Sequence, residues 1–178
     1  VFTNLTPEHL DYHGTMEDYY HAKAKLFKSL PLSATAIINA SDEYGRRLIN
    51  ESTAPVIKVS VTNNSDVHFK KVHSSLNGIS GTIAAGEHEI DFNSALIGDF
   101  NMENILSAVG AALAMGIPIG TIVSGINSCT VVMGRMESLT APNGAPIIVD
   151  YAHTPDAYEK VLSTIYNLVL ENGCLITI

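Results

Sequence analysis

Lys23 lies where a charged side chain is least expected in this sequence. Residues 16–30 have the spacing of an amphipathic helix whose apolar side chains collect on one face. Lys23 falls in the middle of that face, whereas Lys25 projects from the opposite side. Burial removes water from an ammonium group, so we expect Lys23 to favour a neutral amine that is available for chemistry. The alternative is that its flexible stem carries the charge back to water. The apolar residues of this face are Met16, Tyr19, Tyr20, Leu26, Phe27 and Leu30.

Polar side chains are concentrated immediately before this helix. Thr6 followed by Pro7 is a favourable helix start, because a side-chain oxygen can cap the free amides and proline suits the first helical position. This start places His9 and Asp11 on a short turn ahead of the helix. The sequence therefore predicts a cluster of ligand-type residues beside Lys23.

Composition excludes several functional classes. The chain has 178 residues, of which 46% are hydrophobic and 16% charged, as in an ordinary folded soluble protein. Its net charge of -8 argues against nucleic-acid binding, which requires a basic face. Cys129 and Cys174 show no metal or disulfide pattern and fit a reducing cytosol. No apolar stretch is long enough to cross a membrane. We therefore expect a cytoplasmic protein without nucleic-acid or membrane partners. We also expect it to be a monomer.

The two ends of the sequence resemble those of an internal piece. The chain begins at Val1 without an initiator methionine or a signal peptide, and it stops within an apolar strand pattern at 174–178. We therefore expect it to be part of a longer protein.

The first half of the chain predicts strands that alternate with helices. An apolar run at 34–40 has strand length, Ser41 to Glu43 begin a short helix, and 55–61 is a second apolar strand. This alternation predicts a parallel sheet. Residues 67–97 instead alternate between apolar and polar and are broken by Gly and Asn turns, which predicts antiparallel hairpins.

The second half predicts two helices and then the opening of another α/β unit. An Ala-rich apolar helix at 101–115 precedes a second helix at 119–127. Thr154 then caps a helix that has Pro155 at its first position and runs to about residue 171. We place a domain boundary near Gly134. The predicted strands of this half are 136–139, 146–151 and 174–178.

Three segments carry uncommon runs of polar residues and glycine. They are TNLTPEHLDYHG at 3–14 with AK at 22–23, GDFNMEN at 98–104, and GRME at 134–137 followed by VDYAHTPD at 149–156. Together these segments resemble the Mur ligases of peptidoglycan synthesis, most closely the members that add a diamino acid. Order and spacing agree from the first residue nearly to the last.

The resemblance implies a fold and an activity. Residues 1–133 would be part of a central ATP-binding α/β domain, with a mostly parallel sheet flanked by helices and a small antiparallel segment at about 67–97. Residues 134–178 would begin a Rossmann-like C-terminal domain. The family phosphorylates the terminal carboxylate of a UDP-N-acetylmuramoyl peptide with ATP and Mg²⁺. The amino group of the added amino acid, here meso-diaminopimelate or lysine, then attacks the acyl phosphate.

The resemblance also gives Lys23 and its neighbours specific roles. A lysine in the place of Lys23 reacts with carbon dioxide to form a carbamate, whose two oxygens suit a magnesium ion. His9, fourteen residues earlier, matches the magnesium-binding histidine of the family. Asp11 and His13 match surrounding motif positions, and a purely structural role is the alternative for His13.

Five further residues match positions that contact the nucleotide in this family. Asn101 and Asn104 match asparagines near the nucleotide, and Asn104 is the expected adenine contact because an amide both donates and accepts. Arg135 matches an arginine that reaches phosphate. Asp150 matches a carboxylate that binds the ribose hydroxyls, and His153 is expected to face phosphate. The alternatives are a helix cap for Asn101 and an interdomain salt bridge for Arg135.

The sequence also departs from the family. The phosphate loop, with the pattern G-x-x-x-x-G-K-[ST], is absent, as is the acidic residue that shares the magnesium ion. Glu8 stands where aspartate is more frequent in the family. We therefore expect that the parent protein is a peptide ligase and that this piece is inactive alone.

Three other functions remain open on the sequence. Another amide ligase of the same fold, such as a folylpolyglutamate synthase, would share the buried lysine but not the LDYHG run at 10–14. A non-catalytic binding module is the second alternative. A metal hydrolase that uses the seven histidines is the weakest, because no H-E-x-x-H pattern occurs.

Overall fold

The computed structural model describes residues 1–7, 10–62, 65–169 and 173–178, and it contains thirteen helices and strands within these ranges. The helices are α1 (Leu10–His13), α2 (Met16–Lys28), α3 (Glu43–Glu51), α4 (Asp99–Ala114), α5 (Ile119–Ser128) and α6 (Pro155–Leu168). The strands are β1 (Ala36–Asn39), β2 (Val56–Ser60), β3 (Val67–Ser75), β4 (Gly78–Ala85), β5 (His88–Ser94), β6 (Glu137–Thr140) and β7 (Pro146–Val149).

The main sheet contains both parallel and antiparallel strands, where the sequence predicted a mostly parallel sheet with a small antiparallel segment at about 67–97. Its five strands lie in the order β1-β2-β3-β4-β5. The pairs β1–β2 and β2–β3 are parallel, whereas β3–β4 and β4–β5 are antiparallel hairpins. On the outer side of β1, Phe2 forms a parallel bridge to Ile38. The α/β fold with antiparallel hairpins after residue 67 is therefore confirmed.

Helices cover both faces of the parallel part of the sheet. Successive side chains of a strand point to opposite faces, so Ile37 of β1 enters one core while Ile38 enters the other. The first core packs α4 and α5 on the sheet, around the fully buried Leu106 and Val109. The second core packs α2 and α3 on the opposite face, around the fully buried Leu48.

Asp42 links the N-terminal segment to α3. It is the N-cap of that helix, and its Oδ1 accepts a hydrogen bond from the Gly45 amide at 2.9 Å. Its Oδ2 accepts a bond from the Leu5 amide at 3.3 Å. One carboxylate thus fixes the first residues of the chain beside the carboxyl end of β1.

The last part of the chain contains a β-hairpin and one helix. Strands β6 and β7 pair antiparallel, and Thr154 caps α6 by accepting a bond from the Ala157 amide at 3.2 Å. The strand predicted at 174–178 is wrong, because those residues have no regular structure. An apolar run forms a strand only where a neighbouring strand satisfies its backbone, and no described strand lies beside it.

Candidate functional site

Lys23 is exposed, and the prediction that it is buried is wrong. The buried residues of α2 are Tyr19, Tyr20, Ala24 and Phe27. The apolar face of the helix is therefore only partly covered, and Leu26, which was predicted to share it, is 61% exposed. The periodicity of a helix shows which residues share a face, but not how much of that face another element covers. The Lys23 stem reaches solvent, as the alternative interpretation proposed.

The Lys23 ammonium group lies against an aromatic ring. Its Nζ lies over the Tyr19 ring, 5.0 Å from the centroid, where the ring face attracts a cation. The His13 ring stacks on the same tyrosine, with centroids 4.5 Å apart and an angle of 17° between the planes. His13 therefore has a packing role, the alternative that the sequence left open.

The described residues do not form a metal site. Outside positions 8–9, 63–64 and 170–172, no three His, Cys, Asp or Glu side chains are grouped closely enough to share a metal ion. The predicted magnesium ligand His9 lies outside the described residues, as does Glu8. The described part of the short helix α1 runs from Leu10 to His13, and the helix start predicted at Thr6 and Pro7 leads into residues outside the described ranges.

The two asparagines of the second motif contact each other at the start of α4. Asn101 is buried, and its Nδ2 donates to the Ile97 carbonyl at 2.8 Å. Its Oδ1 accepts a bond from Asn104 Nδ2 at 3.0 Å. The alternative that Asn101 caps the helix is wrong, because the N-cap is Gly98. Asn101 instead orients the exposed Asn104.

Asn104 lies at an apolar cavity between α4 and α5. The cavity has a volume of about 330 Å³. Among its lining residues, Asn104, Ser94 and Thr121 carry polar side chains, whereas the other walls are almost wholly aliphatic. A flat apolar group with one hydrogen-bonding edge would suit such a cavity. Its principal aliphatic residues are Leu96, Ile105, Val109, Ile117, Ile122 and Ile126.

Arg135, Asp150 and His153 are brought together by the β6–β7 hairpin. Asp150 Oδ2 accepts a bond from the Met136 amide at 2.8 Å, which places the residue after Arg135 beside the end of β7. The Arg135 guanidinium lies over the Tyr151 ring, 5.6 Å from its centroid. His153 is exposed, and its Nδ1 lies 3.1 Å from the Tyr151 carbonyl oxygen. A cation, a carboxylate, an aromatic ring and an imidazole thus share one surface.

Within the described part of the chain Arg135 forms no salt bridge, and its guanidinium contacts the Tyr151 ring. The alternative of an interdomain salt bridge therefore has no support among these residues. The guanidinium is exposed, so its donors face solvent and can reach an anionic ligand.

A cleft with a volume of about 820 Å³ lies at the carboxyl ends of β1 and β2. In open α/β sheets this is the edge where ligands bind. All three motif segments contribute to its walls, together with the face of α6. Its motif residues are Asn4 and Thr6, then Asp99, Phe100, Met102 and Glu103, and finally Asp156.

The wall of this cleft holds a partly buried carboxylate. Burial raises the pKa of Glu103 above its usual range, and a hydrogen bond from the Asn39 amide opposes that shift. Asn39 is 1% exposed and ends β1, where its Oδ1 accepts a bond from the Ser41 amide at 2.9 Å. The only ammonium group among the described lining residues is Lys160 of α6, whose Nζ lies 2.9 Å from Asp156 Oδ2.

Sequence reasoning missed the polar residues of this cleft. Asn39, Ser41 and Asp42 follow a buried strand, and Glu103 lies between the two asparagines of the second motif. The rule that ligands bind at the carboxyl ends of parallel strands would have indicated the first three. The predicted residues Lys23, Asn104, Arg135, Asp150 and His153 do not line this cleft.

Residues 1–112 match the Mur ligase middle domain, which is more than half of the chain. The chain belongs to the Mur ligase family. A relative from Geobacter metallireducens named UDP-N-acetylmuramoyl-L-alanyl-D-glutamate--2,6-diaminopimelate ligase is 42% identical over 185 aligned residues. That alignment covers 100% of this chain and 36% of the relative, so the chain spans about a third of this Mur ligase.

Solved structures of Mur ligases share the fold. A structure of a UDP-N-acetylmuramoyl-L-alanyl-D-glutamate--2,6-diaminopimelate ligase has a TM-score of 0.76 and 32% identity, covering 95% of this chain and 35% of that one. A MurF ligase from Thermotoga maritima in complex with ADP has a TM-score of 0.77 and 16% identity, covering 93% and 39%. At 16% identity, the likeness to the MurF ligase shows only that the two proteins share a fold.

Proposed function

We propose that this chain is part of an ATP-dependent ligase that adds a diamino acid to UDP-N-acetylmuramoyl-L-Ala-D-Glu in peptidoglycan synthesis. The observation that carries the proposal is the convergence of all three family segments on the cleft at the carboxyl ends of β1 and β2. The name of the relative that is 42% identical supports the diaminopimelate-adding class, with lysine as the alternative amino acid.

The nucleotide site in this proposal uses two groups of residues. Asn104 lies at the rim of the apolar cavity, where its amide could pair with the hydrogen-bonding edge of adenine. Arg135 has exposed donors suited to phosphate, and His153 is on the same surface. Each oxygen of Asp150 accepts one backbone bond, from Met136 and Ala152, and keeps further lone pairs for ribose hydroxyls.

A bound nucleotide would supply the phosphoryl group that activates the muramoyl-peptide carboxylate. The residues described here would bind and orient it, and the incoming amino group would then displace phosphate. In the sequence itself the phosphate loop is absent, so we propose that this chain alone does not turn over ATP.

Lys23, as a carbamate, and His9 are the proposed magnesium ligands. Exposure of the Lys23 amine leaves it accessible to dissolved carbon dioxide. The described residues alone do not supply a set of three ligands, so they do not fit a magnesium ion by themselves.

The proposed organisation is a central ligase domain over 1–133 and the beginning of a C-terminal domain over 134–178. No helix in the described ranges is long and apolar enough to cross a bilayer. We place the protein in the cytoplasm as a monomer, where the UDP-linked peptide, ATP and the diamino acid would be its partners.

The proposal is tested with the longest protein that contains this sequence. It is incubated with ATP, Mg²⁺ and UDP-N-acetylmuramoyl-L-Ala-D-Glu, and either meso-diaminopimelate or lysine is added. We expect one of the two amino acids to be ligated, with one phosphate released per bond. Ligation to a folate acceptor instead, or no dependence on the dipeptide, would contradict the proposal.

Filling the cavity beside Asn104 tests the adenine part of the proposal separately. Ala108 lines this cavity, so Ala108→Phe should lower nucleotide affinity at least several-fold. Ala114→Phe is the matched control, because Ala114 is an exposed residue of the same helix that does not line the cavity. If the two substitutions lower nucleotide affinity equally, adenine does not bind in this cavity and this part of the proposal is wrong.

A further inference from the structure

Two carboxylates at one end of the β6–β7 hairpin, Glu137 in β6 and Asp150 directly after β7, hold the turn that carries Arg135. Glu137 is the first residue of β6, and its Oε2 accepts a hydrogen bond from the Gly134 amide at 3.0 Å. Asp150 follows β7, and its Oδ2 accepts a bond from the Met136 amide at 2.8 Å. The residues immediately before and after Arg135 are therefore each bonded to a carboxylate.

Both carboxylates act at the same end of the hairpin. In the register of the two strands, Glu137 lies opposite Val149, the residue before Asp150. Two further backbone bonds complete the turn. The Arg135 amide donates to the Val132 carbonyl at 3.0 Å, and the Tyr151 amide donates to the Gly134 carbonyl at 2.8 Å.

The backbone of this turn is conformationally demanding. Met136 has a φ of 47°, the only positive value at a non-glycine residue in the described ranges, and it is 3% exposed. The left-handed region is unfavourable for a side chain of this kind and persists only where surrounding bonds impose it. The carboxylates of Glu137 and Asp150 supply such bonds on either side of Arg135.

We infer that Glu137 is a positioning residue for Arg135. The inference rests on the proposed function, in which Arg135 contacts the phosphates of a bound nucleotide. An exposed arginine samples many rotamers, and a fixed backbone beneath it limits the directions its guanidinium can reach. The two oxygens of Asp150 accept hydrogen bonds from different amides, those of Met136 and Ala152. The Glu137 carboxylate accepts its hydrogen bond from the Gly134 amide of this turn. Glu137 is therefore the cleaner position to test.

The first experiment measures order at Arg135 in this chain. Heteronuclear NOE values are recorded for the backbone amides of 134–136 and for Arg135 Nε. Glu137→Ala should lower these values, because it removes the acceptor for the Gly134 amide. Glu137→Gln keeps an acceptor and should restore them. The control Glu87→Ala, at an exposed turn residue between β4 and β5, should leave them unchanged.

The second experiment is a double-mutant cycle on nucleotide binding. Chemical-shift titration with ATP gives the affinities of the unmodified chain, Glu137→Ala, Arg135→Ala and the double variant. We expect Glu137→Ala to weaken binding roughly three- to ten-fold when Arg135 is present, and to have no effect when it is absent. Equal loss in both backgrounds, or unchanged order at Arg135 in Glu137→Ala, would overturn the inference.

The two experiments separate failure of the inference from failure of the proposed function. If the unmodified chain shows no ATP-dependent shifts, the nucleotide proposal fails, while the NOE values still decide whether Glu137 orders Arg135. Glu137→Asp serves if Glu137→Ala does not fold. It keeps the charge but retracts the carboxylate by one methylene, so a smaller loss of order in the same direction is expected.

Discussion

At the scale of single residues, the resemblance to the family indicated candidate site positions, whereas the environments of their side chains were not predictable from the sequence. The resemblance to the family implied roles for Asn104, Arg135 and Asp150. In the structure Asn104 and Arg135 are exposed, and Asp150 is half-buried directly after β7. The burial of Lys23 was predicted from a helical wheel, which contains no information on neighbouring elements. Glu103 could not be assigned from its spacing, because its partner Asn39 is distant in sequence.

Substitution of Lys23 and of its neighbour tests the corrected environment. Lys23→Ala should change the free energy of unfolding by less than about 1 kcal/mol, because it removes only an exposed cation–ring contact. Ala24→Lys should destabilise by roughly 3 kcal/mol or more, because Ala24 is 1% exposed. Urea denaturation of both variants measures the difference. Similar losses would mean that Lys23 is buried after all.

The carboxylate of Glu103 predicts a pH-dependent stability. Its pKa is raised in the folded protein, so the folded state favours the protonated acid. The associated stability is present below the ordinary carboxyl pKa and is lost as pH rises through the folded value. Glu103→Gln should therefore stabilise the protein at pH 7 and have little effect at pH 3.5. Urea midpoints at the two pH values test this, and a gain that is equal at both would contradict it.

At the scale of elements, local patterns predicted local pairings. The hairpins β3–β4 and β4–β5 were predictable because the alternation and the turn residues lie within one short segment. The predicted strand at 174–178 was wrong because a strand needs a partner, which an apolar pattern does not provide. The close packing of α3 on β1 was also not predictable from the sequence, as Gly45 shows.

Gly45 of α3 lies against the carboxyl end of β1. A Cβ atom built there would be 1.9 Å from the Asn39 carbonyl oxygen, so Gly45→Ala forces backbone to move. We expect a loss of roughly 2 kcal/mol or more in the free energy of unfolding. Gly125→Ala is the matched control within α5, where a Cβ meets nothing within 4 Å, and it should stabilise by about 0.5–1 kcal/mol. Thermal denaturation of both variants distinguishes these outcomes, and a tolerated Gly45→Ala would disprove the close packing of α3 on β1.

At the scale of the whole molecule, the fold brings residues of distant motifs to one cleft, while the proposed nucleotide contacts lie in two other regions. The cleft at the carboxyl ends of β1 and β2 collects residues from all three motif segments. The apolar cavity beside Asn104 and the turn around Arg135 carry the predicted nucleotide contacts. Fold class and family followed from the order of the motifs along the chain. The cleft could not be predicted in this way, because its walls come from residues that are close together only in the folded protein.

We propose that Asn104 and the Arg135 turn contact the same nucleotide in a Mur ligase. Titration of the ¹⁵N-labelled chain with ATP tests it directly, because chemical shifts report even weak binding. We predict shifts at Asn104, the Arg135 turn and Asp150 to His153, reduced in both Asn104→Ala and Arg135→Ala. Shifts confined to other residues, or none at millimolar ATP, would contradict the claim.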